Sequence, residues 1–476
     1  MRIRLIVAAL ALALGALPAS AAKAPKAVRI PDAAMSQAAK LRDQALASDL
    51  AYRITESLTT EVGARMAGSE ADARAVEWAK AKFKSLGYEK VWTEPVTFPK
   101  WERRSEHGAV LGAHSQPLSL TALGGSPGGA VEGDVVRFTD FASLEAAPAG
   151  SLAGKIAFLD FQMEPKRDGA DYGMGSRIRT RGPTAAASKG AIGYLMHSAG
   201  TDSHRMPHTG ITRFDDGVSP IPAAALASPD AQQLSRLVAM GPQRVRLALD
   251  CGWNGEATSY NVIGEVRGSS KPDEVVLIGG HLDSWDLGTG AIDDGAGVGI
   301  SMAAGALIAK MPKHPARTIR VVAFANEEQG LHGGRAYAAA HLPQITKHQI
   351  GAESDFGADR IYGYASSLPE NAHEADEQIL SALAPLGITR LEAGKGEGPG
   401  SDVGPFAQQG LAWASLAQDG THYFDLHHTP DDTFDKIDPG AIQQNAAAYA
   451  VFAYLAASAD GSFGSSAKPA DASASH

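Results

Sequence analysis

Cysteine is nearly missing: the chain has 476 residues and one cysteine, Cys251. A lone thiol forms no internal disulfide. An exported form must then draw stability from its core, and from metal if one is bound. Positive charge is also short, with 43 Lys and Arg against 53 Asp and Glu. The net charge of -10 argues against a nucleic-acid partner. Beyond the first residues no segment reads as long and apolar enough to span a bilayer. What remains, 44% hydrophobic and 20% charged, is a globular composition. The length implies two large domains.

Several catalytic patterns are also incomplete. The run Gly124-Gly125-Ser126-Pro127-Gly128 matches a nucleophile elbow, but that elbow needs the backbone N–H after the serine, and Pro127 has none. His373-Glu374 lacks the second histidine of the zinc-protease helix. The Gly-rich run 394–400 lacks the Lys-Ser/Thr ending of a phosphate loop.

The first residues carry Arg2 and Arg4, then an apolar run over 5–17 and the small residues Ala19-Ser20-Ala21. This is the pattern of a secretory signal peptide, residues 1–21, with cleavage near Ala22 or Lys23 and a periplasmic or extracellular destination. The other end, 461–476, is rich in Ser, Ala and Gly and reads as a disordered tail.

Between these ends, helices are expected over 33–58 and 69–86, and a strand over 91–96. From 105 to 255 short apolar runs alternate with Gly/Pro/Asp turns, with helices expected over 183–189 and 231–237, which reads as an inserted β-rich domain. Residues 22–104 are then the first part of the main domain and 256–460 the rest. There, strands over 275–278, 319–324, 349–354 and 411–416 alternate with helices over 295–310, 330–341, 369–384, 403–409 and 440–457. Such alternation implies an α/β fold: a doubly wound, mostly parallel sheet with helices on both faces.

Each of those four strands is followed by acids or imidazoles. The first leads to His281, Asp283, Asp293 and Asp294; the second to Glu327-Glu328; the third to Glu353 and Asp355; the fourth to His422, His427-His428 and Asp432. The carboxyl edge of a parallel sheet is where such folds bind ligands. Asp294 suits a helix N-cap, leaving Asp293 free to ligate. Two histidines and three carboxylates, with one glutamate to spare, suit zinc or a similar divalent ion. Five ligands, one bridging, suit a two-metal site. Asp283 fits a carboxylate that fixes the His281 tautomer. The spare glutamate fits a general base.

In combination, His-x-Asp, Asp-Asp-Gly-Ala-Gly, Asn-Glu-Glu, Ser-Asp and His-Thr-x-x-Asp-Thr resemble the co-catalytic dizinc aminopeptidase and glutamate carboxypeptidase family, zinc peptidase family M28. The block 280–286 and the pair His427-His428 resemble its plasma glutamate carboxypeptidase branch. The resemblance covers about 49–457. Lys155-Ile156-Ala157-Phe158, 185–193 and Ile221-Pro222-Ala223 resemble that branch's protease-associated insert. The resemblance implies a sheet of about eight strands and two Zn2+ per chain. It makes His281, Asp293, Glu328, Asp355 and His428 the metal ligands, with Asp293 bridging and His427 as the alternative to His428. It makes Glu327 the base and Asp283 the residue that orients His281. Gly400-Ser401-Asp402 resembles a segment near the substrate.

The implied activity is hydrolysis of short peptides or dipeptides with a free N-terminus. A water activated by the metals attacks, and Glu327 carries the proton to the leaving amine. An acylamino-acid amidase or a carboxypeptidase on the same scaffold is an alternative, as is a non-catalytic binding protein of the transferrin receptor type. Filled ligand and base positions weigh against the last. Glutaminyl cyclases use one zinc and lack the insert. The oligomeric state stays open, a homodimer included.

Overall fold

The computed structural model describes residues 26–392, 394 and 397–468. The expected signal peptide and the last eight residues of the expected tail lie outside that range.

Helices α1 (Asp32–Leu46), α2 (Leu50–Glu61) and α3 (Glu70–Ser85) open the chain. The stretch expected as one helix over 33–58 is therefore two, broken at 47–49. Ser69 caps α3 by accepting the Asp72 N–H at 3.1 Å. Strand β1 (Lys90–Leu111) then leads into the insert. The insert comprises β2 (Gln116–Leu118), β3 (Leu120–Ala122), β4 (Gly129–Phe138), α4 (Phe141–Glu145), β5 (Ile156–Leu159), α5 (Tyr172–Ser188), β6 (Gly193–His197), β7 (Ala223–Leu226) and α6 (Ser228–Met240). Strand β8 (Arg244–Val266) returns antiparallel to β1, from Arg244 opposite Leu111 to Glu265 opposite Lys90.

Two expectations about the insert change. The boundaries at 105 and 255 fall inside this continuous two-stranded ribbon, not at linkers. Within the insert β4, β5, β6 and β7 run parallel side by side, and the two expected helices are longer, as α5 and α6. α5 extends the helix expected over 183–189 back to Tyr172; Gly173, Gly175 and Gly182 hide that first part, because glycine argues against a helix interior.

The main domain continues with β9 (Lys271–His281), α7 (Ala296–Ala309), β10 (Arg317–Phe324), α8 (His332–His341), β11 (His348–Glu353), β12 (Ile361–Ser366), α9 (His373–Leu383), β13 (Thr389–Arg390), α10 (Gly404–Gln408), β14 (Ala414–Gln418), α11 (Tyr423–Leu426) and α12 (Pro439–Ser458). Successive strand residues point to opposite faces. Val276 and Ile278 pack with α7 and α12, while Leu277 and Phe324 pack with Tyr337 of α8 and Phe406 of α10. Helices thus cover both faces, as a doubly wound sheet requires. The sheet is mixed: β11, β9 and β10 are parallel, and β8 is antiparallel to β10. The strand expected over 411–416 starts at Ala414 and belongs to a second sheet, β13-β12-β14. A parallel bridge between Gly351 and Trp413 joins the two sheets.

The segment Ala291–Ala309 does reach membrane-spanning length and apolarity, contrary to the expectation, but 94% of that window is buried in the core. The expected tail is corrected over 461–468. Phe463 is fully buried and its N–H meets Gln349 Oε1 at 3.2 Å, while Ser465 Oγ accepts the Ala412 N–H at 2.9 Å.

Candidate metal centre

Strands β9, β10 and β11 end at one edge, and β14 runs in their direction beside them. Each delivers its polar residues there. β9 ends on His281, which is buried. Gly280 before it leaves no room for a side chain, since a Cβ would strike Asp294 Oδ2 and the backbone of Gly297. Asp294 accepts the His281 and Gly297 N–H groups at 3.0 Å each, tying the strand end to the start of α7. That is the capping role expected of it.

The five expected ligands converge. His281 Nε2 lies 3.0 Å from Asp293 Oδ1 and 3.4 Å from Asp355 Oδ1. His428 Nε2 lies 3.1 Å from Asp293 Oδ2 and 3.0 Å from Glu328 Oε2. Asp293 therefore turns one oxygen to each imidazole, as a bridging carboxylate would. Ligand atoms of His281, Asp293 and Asp355 lie within 4.8 Å of one another, as do those of Asp293, His427 and His428. His427 Nε2 is 3.5 Å from Asp293 Oδ2, and its ring stacks on His428. His428 meets both carboxylates.

The donor set fits divalent metal. Among the described residues, buried Asp293 Oδ2 and Glu328 Oε1 have no hydrogen-bond partner. Leaving such atoms unpaired is costly unless a cation meets them. Burial raises the Glu327 carboxyl well above its usual range; His281 opposes this, and Asp355, Glu328 and Asp293 add to it. Burial also pushes the Asp293 carboxyl up, but His281 and His428 hold it well below its usual range. Burial and the neighbouring His428 press His427 well down, whereas Glu328 and Asp293 lift His428 against its burial.

Asp283 sits differently from expectation. His281 Nδ1 meets the Asp283 backbone carbonyl at 3.1 Å, and the Asp283 carboxylate is 3.7 Å away. That carboxylate instead accepts the Glu327 N–H at 3.0 Å. It fixes the turn that carries Glu327, a turn that begins with Asn326 in the left-handed region at φ 49°. Glu327 and Glu328 then line a cleft of about 460 Å³ with Asp293, Asp355, His427 and His428.

Four further residues shape the site: Asp432, which the sequence places after the fourth strand, and three that the sequence does not mark. Asp432 accepts the Ala291 and Ile292 N–H groups at 2.7 Å each, and so holds the loop that presents Asp293. Its place in the His-Thr-x-x-Asp motif was the available signal. Buried Arg65 donates to Thr289 O at 2.6 Å and Gly290 O at 2.9 Å. Tyr172 and Arg179 of the insert line the cleft as well. Nothing in the local pattern marks these three. Asp402, by contrast, turns to the Gly334 N–H at 2.9 Å, and Ser401 is the member of that segment on the cleft. Neither group of ligand atoms includes an insert residue among the described residues.

Residues 261–453 match the family model described as peptidase family M28. The chain is 35% identical to carboxypeptidase Q of Homo sapiens over 415 residues, 86% of each protein. It is similar to a solved peptidase M28 precursor from Shewanella amazonensis SB2B, with TM-score 0.87 and 48% identity over 92% of this chain and 99% of that one. It is also similar to BSAP, a zinc aminopeptidase from Bacillus subtilis, with TM-score 0.60 and 19% identity over 86% and 93% of the two chains. At that identity the likeness is one of fold.

Proposed function

The chain belongs to peptidase family M28, and on that premise we propose that it is an exported dizinc exopeptidase that cuts short peptides bearing a free N-terminus. The observation that carries this reading is Asp293, whose two carboxylate oxygens face His281 and His428. His281 and Asp355 would hold one ion with Asp293, and Glu328 and His428 the other. When bound, the two ions supply Lewis acidity to the scissile carbonyl and lower the pKa of the attacking water.

The chain's own residues do the rest. Glu327 accepts the proton of the attacking water and passes it to the leaving amine. The Asp283 carboxylate keeps Glu327 in place through its backbone N–H. Asp432 and Arg65 keep the 289–293 loop in place, so that Asp293 need not reorganise on binding. A substrate's free amine is drawn to the acidic strand edge.

The cleft is also lined by three basic residues, Arg179, Arg213 and Arg335. Arg179 is buried, and among the described residues its Nε and Nη1 have no partner. Such a guanidinium suits a carboxylate. This favours substrates with a free C-terminal carboxylate over C-amidated ones, and a complete set of ligand-type residues with a base disfavours a purely binding role.

The test is metal analysis of the purified protein with a panel of free, N-blocked and C-amidated dipeptides. The reading expects zinc in the protein, turnover of the free dipeptides, loss of turnover on N-blocking and slower turnover on amidation. Preference for N-blocked substrates would favour the amidase reading instead.

A further inference from the structure

Three hydrogen bonds cross from the insert to the histidine pair. His208 Nδ1 meets the His427 carbonyl at 2.7 Å, the Thr209 N–H meets the His428 carbonyl at 3.1 Å, and His428 Nδ1 meets the Thr209 carbonyl at 3.1 Å. The last of these fixes the His428 tautomer: Nδ1 carries the proton and Nε2 is left to face Asp293 and Glu328. His428 needs such support. Its φ of 63° lies in the left-handed region, which costs a non-glycine residue free energy unless its surroundings impose it.

The clamp itself is anchored. His208 Nε2 pairs with Asp202 Oδ2 at 2.6 Å, and both residues are buried. Both ring nitrogens are thus engaged, one by the His427 carbonyl and one by Asp202. The His208 N–H is held by Ser198 Oγ at 2.9 Å. Thr209 Oγ1 donates to Ala122 O at 2.9 Å. Further along, the Thr201 N–H meets Phe424 O at 3.1 Å and Thr201 Oγ1 meets Asp425 at 2.7 Å, so the insert is tied along the whole α11 turn. The contacts are lopsided. His281 leans on Asp283 and Asp294 of its own domain, while His428 leans on the insert.

We propose that the insert's Asp202–His208–Thr209 segment is a positioning element for His428, so that the insert completes the Glu328–His428 half of the metal centre and leaves the His281–Asp355 half independent. This rests on the dizinc reading above.

Zinc-free protein, full-length and mature, is titrated with zinc against a chromophoric chelator, and its melting is followed without metal. Wild type takes two ions. His208→Ala keeps one at wild-type affinity and binds the other about ten- to a hundredfold more weakly, the range for lost support of a ligand. His208→Gln retains an amide donor for the His427 carbonyl and falls between. Asp202→Asn weakens the same single ion. Metal-free melting of the variants stays close to wild type. A wild type that takes fewer than two ions undoes the dizinc reading itself. A two-ion wild type whose variants keep both affinities overturns this inference alone. Equal weakening of both ions does the same, and so does failure of all three variants to fold, because either would make the segment a general support of the fold.

Discussion

The adjacent carboxylates Glu327 and Glu328 divide the labour that the proposal assigns. Glu328 Oε2 faces His428 at 3.0 Å, and the Glu327 N–H is fixed by Asp283. Glu327→Gln keeps size and shape but cannot take a proton. It should keep its zinc and lower kcat about a hundred- to ten-thousandfold. Glu328→Gln should lose zinc, with activity partly restored by excess metal. Zinc stoichiometry beside dipeptide turnover checks both, and the reverse pattern would swap the roles. Arg179→Leu should raise KM for free dipeptides about ten- to a hundredfold, the worth of a charge-assisted hydrogen bond, and leave C-amidated ones little changed. Steady-state kinetics on the two substrate classes reads this. At this scale the sequence carried the residue types and their order. It could not carry the orientation of Asp283, which depends on a left-handed turn at Asn326.

Elements differ in how plainly they announce themselves. α7 and α12 are apolar nearly all round because both are buried, and their limits were legible within a residue or so. Of α5 only the end over 183–189 was legible, since the glycines before it are tolerated through packing: Gly182 lies directly against Tyr194, where a Cβ would not fit. The 461–468 segment was read as tail because its composition is that of a linker. One fully buried side chain, Phe463, overrides that composition. Phe463→Ala should cost about 3–5 kcal/mol, as loss of a buried aromatic does, without changing zinc content. Denaturant unfolding measures the first and metal analysis the second.

At the scale of the molecule the sequence reads as a main domain and an insert, from the change of texture between 105 and 255. It did not disclose that β1 and β8 run unbroken between the two, since a long ladder leaves no compositional mark. Nor did it disclose that the insert walls the cleft, which is a matter of long-range contacts. Removing metal should lower the melting temperature of the whole chain. Each ion at a hundredfold excess over its Kd adds about 2.7 kcal/mol, and re-addition of zinc should restore the loss. Calorimetry with and without chelator tests this. Export predicts a mature N-terminus near Ala22 or Lys23, and N-terminal sequencing finding Met1 intact would contradict it. The most direct measurement is anomalous diffraction at the zinc edge from crystals of zinc-loaded protein. The account predicts two peaks about 3.5–4 Å apart, both on Asp293, one against His281 and Asp355 and the other against Glu328 and His428. A single peak, or a second ion held by His427 with His428 turned away, would contradict it.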